Sequence, residues 1–128
     1  IMASILRVDT LTDASSNNST AMSTINQGSG KCWVQYNAST AAQDSFNTTS
    51  LTDSATGKTV WTIASDMNND DYAVTTAVGN GDSSATSCTL DPHTFATGTV
   101  SLNGFAGADT ASLADRSHCC AMIMGDLA

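Results

Sequence analysis

The sequence contains no glutamate, only four lysines and arginines together, and one proline, and its aromatic content is 5%. Glutamate, lysine and arginine are the polar residues that favour helices, so their scarcity leaves little with which to build the polar face of a helix. About a third of the chain is serine, threonine and asparagine, which favour strands, caps and turns. We therefore predict an all-β protein.

Long apolar runs are also missing. No stretch reaches the roughly 18 apolar residues that a membrane-spanning helix needs, so we predict no membrane insertion. The first residues do not combine a basic region, an apolar segment and a cleavage site, so we predict no classical secretory signal. A chain without such a signal folds in a reducing compartment, where disulfides are rare.

The charge of the chain is strongly one-sided. All twelve acidic residues are aspartate, and the net charge is −8 with an isoelectric point near 4.1. Nucleic acid and anionic membranes need a basic surface, so both are excluded as predicted partners. Mutual repulsion that keeps a strand-rich protein soluble explains the acids, and a surface that holds cations is the alternative.

Large apolar residues are scarce, because much of the 41% hydrophobic content is alanine. Alanine buries little area, and a small monomer with so thin a core is marginally stable. Disulfides, a metal ion or oligomerisation are the usual remedies.

The chain divides into an N-terminal segment, residues 1–30, and a head, residues 31–128. In the first segment alternating apolar residues predict one strand, a weaker pattern predicts a second, and Gly28-Ser29-Gly30 predicts a hinge. The segment has too little apolar surface to fold alone, so we predict that it attaches to partners or intertwines with sister chains. Its predicted interface residues are Leu6, Val8, Leu11, Met22 and Ile25.

In the head, strand-like runs recur about every ten residues, as expected for a small antiparallel β-sandwich or jelly-roll-like domain. Pro92 is expected to end one of the strands, and Phe46 to point inward. Trp33, Tyr36, Trp61 and Tyr72 are expected in the core, with a sugar-stacking platform as the alternative. The predicted strands are Lys31–Tyr36, Asp44–Leu51, Thr59–Ala64, Tyr72–Val78, Ala85–Leu90, Phe95–Leu102 and Ser117–Met124.

The four cysteines, Cys32, Cys88, Cys119 and Cys120, do not form a CxxC pair. Cys119 and Cys120 are adjacent, so on a strand they face opposite sides and cannot readily chelate one ion together. We expect buried or half-buried thiols, and a disulfide from Cys88 to Cys119 or Cys120 or a zinc site are alternatives.

Catalytic and metal-binding motifs are not evident. The segment Asp66–Asp71 resembles a calcium loop, but Asp71 and Ala77 stand where an EF-hand needs glycine and glutamate. A hairpin turn is the simpler interpretation, with an irregular calcium site as the alternative. The chain has no GxSxG elbow. We predict no enzymatic activity, no cofactor and no resident metal.

A set of short segments, in this order, resembles fibre and appendage proteins of marine tailed bacteriophages, cyanophages included. Together the segments span nearly the whole chain. They are Met2–Ser16 (MASILRVDTLTDASS), Lys31–Val34 (KCWV), Asp44–Asn47 (DSFN), Ser50–Asp53 (SLTD), Asp66-Met67 followed by Asp71-Tyr72, and Ile123–Leu127 (IMGDL).

The resemblance implies a virion structural protein: a short fibre, a tail-associated protein or a capsid decoration. Such proteins are usually homotrimers whose N-terminal segments attach to other virion proteins. The alternative is a receptor-binding module in which exposed turns of the head recognise a host surface glycan. The candidate ligand-facing residues in those turns are Asn68, Asn69, Asp70, Asn80 and Asp82.

Overall fold

A computed structural model describes residues 7–12, 14–15, 19–37, 39–79, 88–106 and 112–128. These residues form ten strands and one short helix. Strands β1 and β2 and helix α1 belong to the N-terminal segment, and β3 to β10 form the head. The elements are β1 Thr10–Thr12, β2 Ser19–Ala21, α1 Met22–Gly28, β3 Gly30–Tyr36, β4 Ala42–Phe46, β5 Thr48–Ala55, β6 Lys58–Ile63, β7 Ala73–Gly79, β8 Thr89–Ala96, β9 Thr99–Phe105 and β10 His118–Met124.

The head is a sandwich of two antiparallel sheets with four strands each. The first sheet has the strand order β4-β3-β10-β7, and the second has the order β5-β6-β9-β8. All the paired strands run antiparallel, as expected for an all-β domain whose connections are short. The predicted all-β sandwich is therefore confirmed.

The core lies between the sheets and is built by alternation along the strands. Every second residue of β3, β6, β9 and β10 points inward, because successive side chains of a strand face opposite sides. Trp61 is completely buried, and its indole Nε1 donates a hydrogen bond to Thr48 Oγ1 at 3.0 Å. The inward residues of these strands are Cys32, Val34, Tyr36, Thr59, Trp61, Ile63, Val100, Leu102, Gly104, Cys119, Ala121 and Ile123.

Two aromatic residues that were expected inside point outward. Trp33 lies on the opposite side of β3 from Val34, and it pairs in register with Phe46 on β4. The prediction was wrong for Trp33 because Cys32, Val34 and Tyr36 fill the inward side of that strand. It was wrong for Phe46 because β4 is an edge strand with no buried residue. The expectation is confirmed for Tyr36, Trp61 and Tyr72, which are buried.

Asn47 divides the predicted strand Asp44–Leu51 into β4 and β5, which lie in different sheets. The backbone of Asn47 has φ of 53°, in the left-handed region that asparagine tolerates better than most residues. Its side chain accepts a hydrogen bond from Ser65 N at 2.8 Å and donates one to Lys31 O at 3.1 Å. The single residue thus passes the chain from one sheet to the other.

The predicted strand Phe95–Leu102 is instead a hairpin. Strand β8 ends at Ala96, a turn covers residues 97 and 98, and β9 begins at Thr99. Pro92 does not end a strand, since it lies within β8. Proline is tolerated there because β8 is an edge strand and its register shifts between Pro92 and Phe95.

The N-terminal segment forms a small unit with its own pairing. Strands β1 and β2 pair antiparallel with each other in a separate two-stranded sheet. The second predicted strand is a helix instead, because Met22 and Ile25 are three residues apart and share one helical face. Met22 N donates a hydrogen bond to Asp9 O at 2.9 Å, which joins the start of α1 to the residue before β1.

The predicted hinge consists of a helix end, a linker residue and a strand start. Gly28 ends α1, Ser29 is extended, and Gly30 begins β3. Ser29 Oγ donates to Asn26 O at 3.0 Å and accepts from Lys31 Nζ at 2.8 Å. Two hydrogen bonds therefore brace the one-residue link between the N-terminal unit and the head.

Replacing Asn47 with alanine should destabilise the fold by about 2–3 kcal/mol, since it removes the side-chain hydrogen bonds and strains the left-handed backbone. Asn47→Gly is the matched control. It loses the same hydrogen bonds but permits the backbone angle, so it should cost about 1 kcal/mol less than alanine. Urea unfolding measures both, and equal costs for the two variants would contradict the backbone argument.

Gly57 provides a second test in the turn between β5 and β6. Its φ is +69°, and a Cβ atom there would lie 2.5 Å from Ala114 N and 2.8 Å from Gly104 O. Gly57→Ala should therefore destabilise the protein by at least about 2 kcal/mol. Gly28→Ala, which has no atom within 4 Å of the new carbon, should be neutral or stabilise α1 by up to about 1 kcal/mol. Thermal unfolding should show stability changes of opposite sign, or of clearly different size, for the two variants.

Candidate functional site

The outer face of the first sheet carries three of the exposed large apolar side chains of the described head, and Phe95 on β8 of the second sheet is another. We define the outer face by the residues of β4, β3, β10 and β7 that point away from the core. In register across β4, β3 and β10 lie Phe46, Trp33 and Met122, which are 55%, 36% and 38% exposed. We call these three residues the apolar row.

A second line of side chains lies beside the apolar row. Asp44, Gln35, Cys120 and Ala77 are paired in register across the same four strands. Asp44 stands at the sheet edge, on β4, so the centre of this line is uncharged. A shallow depression on the outer face is lined by side chains from both lines, Trp33 and Cys120 among them.

The apolar surface extends past Phe46 toward the C-terminal residues. Phe46 and the exposed Leu127 line one groove together with Asn47, Ser65 and Lys31. Leu127 is held there by a bridge to Met67. The charged side chains at the margins of the outer face are thus Asp44 and Lys31, one of each sign.

The predicted interface residues of the N-terminal segment lie away from the core. Val8 and Leu11 are exposed, and Met22 and Ile25 are half-buried on α1, which has no buried residue. Leu6 lies outside the described residues. These side chains are not brought onto the apolar row of the same chain, where Trp33, Phe46 and Met122 stay exposed.

The predicted ligand-facing turn lies between β6 and β7. Asn68, Asn69 and Asp70 are exposed, as expected. Asn68 N donates to Asp126 O at 2.8 Å, and Asn69 Oδ1 accepts from Asp71 N at 3.0 Å. The expected Asx hydrogen bond is therefore present. The expected hairpin was wrong, because β6 and β7 lie in different sheets and the turn passes the chain between them. Asn80 and Asp82 lie outside the described residues.

A partly buried polar cluster lies near Tyr36. Asp115 Oδ1 accepts a hydrogen bond from Gly57 N at 2.7 Å, and Arg116 Nη1 donates to Cys88 Sγ at 3.0 Å. The Arg116 Nε is buried and has no hydrogen-bond partner among the described residues. Cys119 lines the same small enclosed cavity. The cluster ties the segment before β10 to the turn between β5 and β6.

Burial sets the acidity of the side chains in the core. It raises the pKa of the Cys32 thiol from 9.0 to about 11. It also raises the pKa of Cys119 and of Tyr36, and for Tyr36 the neighbouring Cys119 adds to the effect. These groups are therefore protonated at neutral pH, which suits a structural core rather than nucleophilic chemistry.

None of the four cysteines forms a disulfide in the structure. Cys119 is buried and Cys120 is exposed, which confirms that the two face opposite sides of β10. Over the described ranges, no group of three histidine, cysteine or acidic side chains is placed to hold a metal ion. Of the helices in the described part of the chain, none is long and apolar enough to cross a membrane.

Comparison of the chain with protein-family models, with curated proteins and with solved structures found no match.

The stability of the fold should fall as the pH rises through the window from about 9 to about 11. Unfolded chains lose the Cys32 proton above its ordinary pKa of 9.0, whereas the folded chain keeps it until about 11. The stabilisation is therefore complete below pH 9 and is lost progressively above it. Thermal unfolding under reducing conditions between pH 7 and 11 measures the decline.

Cys32→Val is the control, because valine fills the inward position without a titrating group. Its decline over the same window should be smaller, although Cys119 and Tyr36 still contribute in the same direction. A variant whose decline equals that of the native chain would contradict the assignment to Cys32.

Proposed function

We propose that this chain is a non-enzymatic structural protein of a phage virion that assembles as a homotrimer. In this proposal the N-terminal segment attaches to other virion proteins, and the sandwich head is displayed on the particle. The observation that carries the proposal is the apolar row on the outer face of the first sheet. The ordered resemblance to phage appendage proteins supports the virion context.

The apolar row supports self-association because its exposure is costly for a single chain. Each aromatic side chain removes up to about 150–250 Å² from water when buried, at roughly 25 cal/mol per Å². Phe46, Trp33 and Met122 lie side by side on neighbouring strands, so one contact can cover all three. Pairing of this face with another copy supplies apolar burial that the thin core lacks.

The charge distribution favours the same face as the contact. Copies of a chain with net charge −8 repel one another over most of their surface. The outer face has an uncharged centre, with Asp44 and Lys31 at its margins. Close approach of two copies therefore costs least where the apolar row lies.

The N-terminal segment also supports the attachment role. Val8 and Leu11 are exposed, and β1 and β2 pair with each other rather than with either sheet of the head. A segment that exposes apolar residues and pairs separately from the head is suited to docking on a partner. Glycan recognition by the turn Asn68–Asp70 stays a prediction; a glycan array with the full chain tests it.

Light scattering or sedimentation of the purified chain at low micromolar concentration should give three times the 13.1 kDa chain mass. Met122→Asp should dissociate this assembly, because it places a charge at the β10 end of the apolar row. Ser101→Asp is the control, since it adds the same charge on a central strand of the other sheet. That variant should retain the native mass.

A native chain that is a stable, folded monomer would overturn the proposed assembly. If the Met122→Asp variant remained a trimer, the assembly would not depend on the outer face. Far-ultraviolet circular dichroism on each variant verifies that the sandwich is intact.

A further inference from the structure

We propose that helix α1 of one chain docks across the apolar row of a neighbouring copy, so that Met22 and Ile25 cover Trp33, Phe46 and Met122 in trans. This inference rests on the proposed assembly and names the two surfaces that meet in it. The occupant of the outer face is thus a defined segment of a second copy.

The two surfaces match in charge. Helix α1 has the sequence MSTINQG and carries no charged residue, and no acidic residue lies in its first turn. The apolar row is likewise uncharged. In a chain with twelve aspartates and a net charge of −8, two neutral apolar surfaces can meet without the repulsion that other contacts suffer.

The two surfaces also match in length. A helix of seven residues is about 10 Å long at 1.5 Å per residue. Three neighbouring strands span about 10 Å from first to third at a spacing near 4.8 Å. Met22 and Ile25, one turn apart on a single face of α1, can therefore reach side chains on β4, β3 and β10.

The link between α1 and β3 favours docking in trans. Ser29 alone connects α1 to β3 and is extended, which leaves little chain for α1 to fold back over its own sheet. Hydrogen bonds from Lys31 Nζ to Ser29 Oγ and from Ser29 Oγ to Asn26 O hold this link. In the single chain Met22 and Ile25 are only half-buried, and Met122 remains 38% exposed.

The link places the start of β3 beside the apolar row of its own chain. Gly30 lies against Met122, because a Cβ atom at Gly30 would meet Met122 Sδ at 2.9 Å. The helix thus departs from the rim of the outer face, where a second copy packed on that face is within reach. An exchange of helices between copies then buries Met22, Ile25 and the apolar row together.

Two helix variants test the proposal by sedimentation. Ile25→Asp should weaken association at least tenfold, because it charges the contacting side of α1. Thr24→Asp adds the same charge at an exposed position on the other side of the same helix and should change association less than twofold. Met122→Asp, measured in the same way, tests the apolar row of the head.

The outcomes separate the inference from the proposed assembly. Loss of association in both Met122→Asp and Ile25→Asp, but not in Thr24→Asp, supports docking of α1. Loss in Met122→Asp alone overturns the inference and leaves the assembly intact. A native chain that does not associate overturns both.

Disulfide trapping gives a readout that does not depend on weakened folding. Chains carrying Ile25→Cys are mixed and refolded with chains carrying Met122→Cys, both with Cys88→Ser and Cys120→Ser. Mild oxidation should give a species of twice the 13.1 kDa chain mass that contains one chain of each kind. Thr24→Cys in place of Ile25→Cys should not, and equal yields from the two would overturn the proposal.

Discussion

The fold depends on the left-handed turn at Asn47. Through it the chain leaves the first sheet at Phe46 and enters the second at Thr48, and its side chain bonds Lys31 in one sheet and Ser65 beyond the end of β6. Its backbone oxygen also accepts from Ala64 N at 3.0 Å. A single residue therefore joins the two sheets at this corner, and the core lies between the sheets that it connects.

The two sheets use their apolar residues differently. Most large side chains of β3, β6, β9 and β10 lie between the sheets, where Trp61, Leu102 and Ile123 are fully buried. The first sheet nevertheless keeps Trp33 and Met122 on its outer side, although the chain is poor in such residues. In a protein with a marginal core, burying these two side chains between the sheets would add more stability than leaving them outside. Their outward position is consistent with a fold that completes its apolar burial only on association.

Alternation predicted four strands of the head, because β3, β6, β7 and β10 follow the two-residue period closely. It did not predict the break at Asn47, since a left-handed backbone at one asparagine leaves no mark in the pattern. For Trp33 a signal was available: its side of β3 also holds Lys31 and Gln35, whereas the other side is wholly apolar. The apolar row could not be predicted, because it depends on β10 lying beside β3, which are about 85 residues apart in the chain.

Pro92 limits how other strands can pair with one edge of the sandwich. It removes a backbone donor from β8, the outermost strand of the second sheet, and the ladder there is interrupted between Pro92 and Phe95. A proline on an edge strand disfavours the addition of another strand along that side. The proline thus disfavours growth of the second sheet at its β8 edge.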